Sequence, residues 1–149
     1  MTPVTVKVRT LEHFRGELPK YESRWASGCD VRAQLMGESI FLKPMERALV
    51  PTGLTVEIPP GYEIQVRPRS GLAFRQGLTI LNAPGTIDAD YRGEIKILVI
   101  NLGQEVIAIK DQDRLAQLVL MPVCQLQWNL VSQLNETERG VGGFGSTGV

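Results

Sequence analysis

Apolar and polar residues alternate with a period of two over many short stretches of the chain. Val4, Val6 and Val8 alternate with Thr5, Lys7 and Arg9, the pattern of a strand with one buried face. Leu54-Thr55-Val56-Glu57-Ile58 alternates again, and Tyr62, Ile64 and Val66 face opposite to Glu63, Gln65 and Arg67. Pro59-Pro60-Gly61 lies between these two runs and is a strong turn signal, so the pair is expected to form a hairpin. Short strands are also predicted at 39–42, 48–50 and 106–109. Residues 94–100 begin alternating and end apolar on both faces, and 114–123 are mostly apolar. No stretch sustains a helical period. Short strands at close intervals, with turns between them, predict an all-β fold, a jelly-roll-like barrel or sandwich.

The polar punctuation carries the candidate chemistry. The segment Asn82-Ala83-Pro84-Gly85-Thr86-Ile87-Asp88-Ala89-Asp90-Tyr91-Arg92-Gly93 lies between apolar runs at 78–81 and 95–100. It opens with turn residues and continues with two carboxylates, a Tyr and an Arg. In extended backbone, residues two apart point to one side, so Asp88 and Asp90 are expected to share a face. Like charges so close are unfavourable in a core, so they are either solvated or held for a purpose. A polar loop tip explains such a pair when it stands alone. In Arg67-Pro68-Arg69-Ser70-Gly71-Leu72-Ala73, Ser70 is expected to cap a helical turn reaching Phe74 or Arg75. Its hydroxyl, the free N–H groups and the Arg side chains suit an anion such as phosphate, although an ordinary cap flanked by surface Arg has the same residues. Ahead of Asp30, the small residues Ala26-Ser27-Gly28 point to close backbone packing beside a carboxylate. Gln117 is the polar member of an apolar run, and a buried amide needs a partner, either core backbone or a ligand.

Length and charge narrow the classes. A chain of 149 residues suits one domain with its own core. A formal net charge of zero gives no electrostatic footprint for a nucleic acid polymer, while a few local Arg residues suffice for a small anion. No run approaches a membrane span, and the first residues show no secretory signal, so the expected location is cytoplasmic. Cys29 and Cys124 are too few for a disulfide framework, lack metal-ligand spacing, and are expected as reduced thiols. His13 is the sole histidine and reads as an incidental loop residue, which disfavours His-based nucleophilic catalysis or a zinc site of several His. The end of the chain differs in kind: five of the residues from 140 onward are Gly. Such a segment is costly to order and buries little, so 136–149 are expected to be a flexible arm on a core of 1–135. Among its glycines stand Arg139, Phe144 and Ser146-Thr147, which are a cation, a ring able to stack on a base, and hydroxyls for phosphates.

Five of these segments, in this order, resemble the trimeric deoxyuridine triphosphate nucleotidohydrolase (dUTPase) family. They are Ala26-Ser27-Gly28-Cys29-Asp30-Val31, then Arg67 to Ala73, Gly85 to Gly93, Arg114-Leu115-Ala116-Gln117-Leu118, and Arg139-Gly140-Val141-Gly142-Gly143-Phe144-Gly145-Ser146-Thr147-Gly148. They span nearly the whole chain. Cys29 stands where the family usually has Tyr, and Ser27 precedes the Gly; neither removes a residue that the family uses for chemistry.

The resemblance implies splitting of dUTP into dUMP and pyrophosphate, which lowers dUTP and supplies dUMP for thymidylate synthesis. By the resemblance, Asp88 is the general base for a water attacking the α-phosphorus. Mg²⁺ is the implied cofactor, chelated by the phosphates, with Asp30 acting through water and not as a direct ligand. Arg69, Ser70, Gly71, Gln117, Arg139, Ser146 and Thr147 would contact phosphates, with Gly145 beside them, and Phe144 would cover uracil. Backbone groups from Asn82 through Gly85, Thr86 and Ile87 would read the uracil edge, and Tyr91 would exclude a 2′-hydroxyl. The implied assembly is a homotrimer with shared sites, the arm reaching over a neighbour, with no membrane or nucleic acid polymer as partner. Two alternatives remain: a dCTP deaminase-like enzyme on the same fold, and a nucleotide-binding regulatory protein without turnover.

Overall fold

The computed structural model describes residues 3–143. In chain order the elements are β1 (Lys7–Thr10), β2 (Cys29–Arg32), β3 (Ser39–Leu42), β4 (Arg47–Pro51), β5 (Leu54–Glu57), β6 (Tyr62–Pro68), α1 (Ser70–Gln76), β7 (Leu78–Ile80), β8 (Gly85–Ile87), β9 (Lys96–Asn101), β10 (Ile107–Lys110) and β11 (Arg114–Pro122). The largest sheet runs β2-β11-β6-β8 and a second runs β4-β9-β7, while β1 pairs with β5 and β3 with β10. Every pairing is antiparallel. The expected all-β class is met, as four sheets and not as one closed barrel.

The inward residues of these ladders meet in one core. Val31, Val50, Ile58, Ile95, Ile97, Val99 and Ile109 are fully buried in it. Burying such side chains stabilises by about 1.5–3 kcal/mol each, which makes this cluster the main source of folding energy. Asn101 is also fully buried, a polar residue in an apolar centre. Its Nδ2 donates to the carbonyls of Leu42 (2.9 Å) and Glu105 (2.8 Å), and its Oδ1 accepts the Gly103 N–H at 2.8 Å. It therefore leaves no polar atom unpaired, and it ties β3 to the turn after β9.

One local expectation fails and another holds only in part. β5 pairs with β1, and β6 pairs with β11 and β8, so β5 and β6 are not a hairpin. The Pro-Gly turn exists, but it passes the chain from one ladder to another, with Ile58 buried at the crossing. Turn chemistry specifies a reversal and not the partner strand. The first strand begins at Lys7 with all four of its residues exposed, and the inward face of this stretch lies just before it, where Val4 and Val6 are half-buried around an exposed Thr5 and Val6 packs against the core.

Helix α1 starts one residue earlier than expected. Arg69 occupies the N-cap position without a side-chain cap bond, which places Ser70 inside the first turn and not at the cap. The helix ends at Gly77, whose φ of 73° is left-handed and suits Gly. Gly77 accepts the Leu102 N–H at 3.0 Å, and its backbone lies against Gly103. A Cβ on Gly103 would collide with the Gln76 carbonyl. This contact seats α1, and with it Arg69 to Gly71, on the turn after β9. Gly103→Ala is expected to cost about 1–3 kcal/mol, as overpacking against backbone does. Equilibrium denaturant unfolding checks this, and an unchanged midpoint would show that the two backbones can part freely.

Candidate active site

The first cluster sits on the β2, β11 and β6 ladders. Asp30 on β2 lies opposite Gln117 on β11, which in turn lies opposite Arg67 on β6. Gly28 permits the close approach, since a Cβ there would stand 3.0 Å from Val119 Cγ2 and 3.2 Å from Gln117 Cβ. The small residues before Asp30 thus act as their sequence indicates. Asp30 is nearly buried and bridges two cations: Oδ1 accepts from Arg69 Nε at 3.2 Å, and Oδ2 from Arg114 Nη1 at 3.1 Å. Arg69 also donates to the Arg114 carbonyl at 3.2 Å. Arg114 Nη1 also lies 4.0 Å from Glu22 Oε1, so both guanidiniums are held by carboxylates beside Ser70 and Gly71, where first-turn N–H groups lack intrahelical acceptors. Gln117 is half-buried, and its side-chain amide has no hydrogen bond among the described residues. It is thus not a core amide, which leaves it available to a ligand. Cys29, next to Asp30, donates weakly to the Leu118 carbonyl at 3.6 Å. Burial pushes its thiol above the ordinary range, and the Asp30 charge adds to that.

The second cluster follows β8. Gly85 is buried against β6, where a Cβ would stand 3.3 Å from both Val66 Cβ and Asn82 Nδ2. Ile87 is buried, while Asn82 and Thr86 are exposed. Past Ile87 the chain turns, with the Tyr91 N–H on the Asp88 carbonyl at 3.1 Å. Arg92 clasps this turn by donating to the carbonyls of Ala89 (2.7 Å) and Tyr91 (3.0 Å). Asp88 and Asp90 therefore stand in a turn and not in extended backbone. Both nevertheless line one cleft of about 700 Å³, together with Tyr62, Glu63, Val123 and Gln125. Asp88 also lines a second cleft of about 290 Å³ with Thr86, Ile87, Tyr91, Glu94 and Lys96. Its carboxylate is exposed. The Tyr91 hydroxyl donates to the Glu94 carbonyl at 3.0 Å, and the ring lies where a Cβ on Gly93 would be.

The two clusters do not meet within one chain. Ile87 pairs with Ile64, so Asp88 stands level with Glu63 near the Tyr62 end of β6, whereas Arg69 follows Pro68 at the other end. At ~3.3 Å per strand residue, the two ends are about 20 Å apart. Arg139 is exposed and donates from Nε to the Gly142 carbonyl at 2.9 Å. Phe144, Gly145, Ser146 and Thr147 lie outside the described residues. Among the described residues, no cluster of three or more His, Cys, Asp or Glu is placed to hold a metal ion. No described helix is long and apolar enough to cross a membrane.

Two features went unread in the sequence. His13 is not incidental, because its Nε2 lies 2.8 Å from Glu94 Oε1 in a partly buried pair. No local pattern links residues so far apart in the chain. The run Cys124, Leu126, Trp128, Leu130 alternates with Gln125, Gln127 and Asn129, a period-two signal that was available. It stands exposed in the chain, with Trp128 at 88% and Leu130 at 99%.

The dUTPase family model matches residues 15–148. A deoxyuridine 5′-triphosphate nucleotidohydrolase of Bdellovibrio bacteriovorus is 64% identical over 148 residues, covering 99% of each chain. The chain belongs to the dUTPase family. Solved dUTPases share the architecture. A Staphylococcus bacteriophage 80alpha dUTPase variant, determined with dUpNHpp, has a TM-score of 0.82 at 28% identity, covering 97% of this chain and 99% of that one. A dUTPase variant from phage phi11 of S. aureus, described with a structural Mg(II) ion, has a TM-score of 0.77 at 27% identity, covering 89% and 100%. The dUTPase match takes in both clusters and Arg139. The raised Cys29 thiol gives a direct check: native protein treated with iodoacetamide near neutral pH is expected to keep Cys29 unmodified, with alkylation appearing on unfolding. Mapping by peptide mass spectrometry tests this, and rapid native labelling of Cys29 would contradict it.

Proposed function

We propose that the protein hydrolyses dUTP to dUMP and pyrophosphate, with Asp88 as the general base. The observation that carries this reading is the Asp88 carboxylate, exposed on a clasped turn beside two clefts in a chain of the dUTPase family. A water held by Asp88 attacks the α-phosphorus and gives its proton to the carboxylate. The bond from the α-phosphorus to the bridging oxygen breaks, and pyrophosphate leaves with that oxygen. Arg69, the Ser70 hydroxyl, Gly71 and Gln117 bind the phosphates, and the Arg69–Asp30–Arg114 bridge fixes the guanidinium that meets them. Backbone from Asn82 to Ile87 reads the uracil edge, and Tyr91 closes the sugar side. The arm 136–149, distinct from the core 1–135, adds Arg139, Phe144, Gly145, Ser146 and Thr147 over the occupied site.

Mg²⁺ fits as a passenger of the substrate, because the described residues offer no carboxylate cage and Asp30 is already bridged to two Arg residues. The carboxylate keeps spare lone pairs for a metal-bound water, the outer-shell role. When bound, the ion offsets triphosphate charge and polarises the phosphoryl oxygens.

The working unit in this reading is a homotrimer with shared sites. The gap of about 20 Å along β6 supports it, because no single chain sets its own Asp88 before its own Arg69. A second copy that brings its Asp88 turn to the first copy's Arg69 completes the site. The exposed alternating run through Trp128 and Leu130 supports the same conclusion, since it has the pattern of a strand and pairs with no strand among the described residues. We place the protein in the cytoplasm, consistent with two free thiols.

The test is pyrophosphate release from dUTP, dTTP, dCTP and UTP, with and without Mg²⁺. Metal-dependent release from dUTP alone supports the reading, ammonia release from dCTP would replace it with a deaminase, and tight binding without turnover would replace it with a regulatory module. Asp88→Asn is expected to keep dUTP binding while losing about 10²–10⁴-fold in turnover, the usual contribution of a positioned base. An unchanged rate would remove Asp88 from that role.

A further inference from the structure

We propose that His13 is a positioning residue for nucleotide selection: its bond to Glu94 sets where Tyr91 stands, and thereby how strictly a ribose is refused. The inference rests on the dUTP reading for the role of Tyr91 and goes beyond it to a residue in a distant loop. Two distant segments converge on one carboxylate oxygen. Glu94 Oε1 takes the His13 ring nitrogen at 2.8 Å and the Gly53 N–H at 2.8 Å. A carboxylate oxygen only accepts, so His13 presents an N–H at Nε2. The loop that carries His13 is itself seated on Gly53. The Leu11 N–H donates to the Gly53 carbonyl at 2.8 Å, and Phe14 covers the face where a Cβ on Gly53 would stand.

Beyond Glu94 the chain is anchored. The Ile95 N–H donates to the Leu54 carbonyl at 2.8 Å, and the Ile95 carbonyl accepts the Thr52 hydroxyl at 2.6 Å. Before Glu94 lies the turn of Asp88 to Tyr91, and the Tyr91 hydroxyl ends on the Glu94 carbonyl. Glu94 is therefore the joint: its carbonyl, in the same peptide plane as the anchored Ile95 N–H, holds Tyr91, and its side chain steadies the backbone that leads in from the Tyr91 turn. Without His13, its carboxylate keeps one backbone donor and Lys96, whose Nζ is 3.8 Å from Oε2 on a half-exposed side chain. The carboxylate is then free to swing towards Lys96, and the joint loosens. A 2′-hydroxyl is a small group, so a shift of about 1 Å in the wall is enough to change its exclusion, the scale on which misplacement alters rates by up to about 10²-fold.

The experiment compares His13→Ala, His13→Gln, Tyr91→Phe and the double variant His13→Ala/Tyr91→Phe. The preference for dUTP over UTP is read from kcat/KM, and the preference for dUMP over UMP from calorimetric Kd. His13→Ala is expected to cut the preference about tenfold, and His13→Gln, which restores a side-chain N–H, to recover most of it. Tyr91→Phe removes the last bond of the chain and is expected to match His13→Ala, with no further loss in the double variant. An unchanged preference, an equal loss for both sugars, failure of Gln to rescue, or additive losses would each overturn the proposal. Should His13→Ala fail to fold, His13→Phe, which fills the same space without an N–H, takes its place against His13→Gln, and an unchanged preference in it overturns the proposal. A parent protein without turnover would defeat the hydrolysis reading and leave the dUMP and UMP affinities to judge this one.

Discussion

The register of β6 between its two neighbours governs the molecule. Ile64 opposite Ile87 and Gln117 opposite Arg67 fix, within a single residue, which groups stand at each end of the strand. A slip of one residue would turn every inward side chain of β6 outward and expose Ile64 and Val66. The buried face therefore enforces the same register that separates the Asp88 turn from the Arg69 segment. In the proposed reading, Asp88 is a base at one end of this strand and the Arg69 segment an anion cradle at the other, so chemistry that needs both requires a second chain. Stability and assembly then follow from one constraint.

Within the cradle, charge is arranged ahead of any ligand. Asp30 holds Arg69 and Arg114 in fixed directions from a nearly buried position, and Gly28 lets β2 and β11 close tightly enough for this. Ion pairs of this kind add little to stability when partly solvated, so the value of the bridge lies in orientation. A pre-set guanidinium loses less freedom on meeting a phosphate than a loose one. The Gly77–Gly103 contact serves the same end from below, by seating the short helix that carries Ser70 and Gly71.

The candidate site residues could be picked out of the sequence because they sit in local motifs. Asp88, Arg69 and Gln117 stand in short segments whose composition departs from the alternating background. The all-β class was legible for the same reason, since period-two alternation is a local property. What could not be read depends on contacts between distant segments. The turn at Pro59-Pro60-Gly61 reverses the chain, but only the core decides that β5 joins β1 and β6 joins β11. His13 looks like a loop residue until Glu94 is brought beside it. Asn101 looks like a strand-ending polar residue, yet it is fully buried and satisfied by three backbone partners. Arg69 took the N-cap position in place of Ser70, a shift of one residue that composition does not resolve.

Subunit mixing shows whether each site is assembled from different chains. Asp88→Asn and Arg69→Ala chains, each inactive alone, are unfolded together and refolded as an equal mixture, and pyrophosphate release from dUTP is measured. Shared sites predict recovered activity, since about one quarter of randomly formed pairings join an intact Asp88 on one chain to an intact Arg69 on another. A mixture as inactive as its two components, at every ratio, would mean that each chain carries its own complete site and would contradict the account.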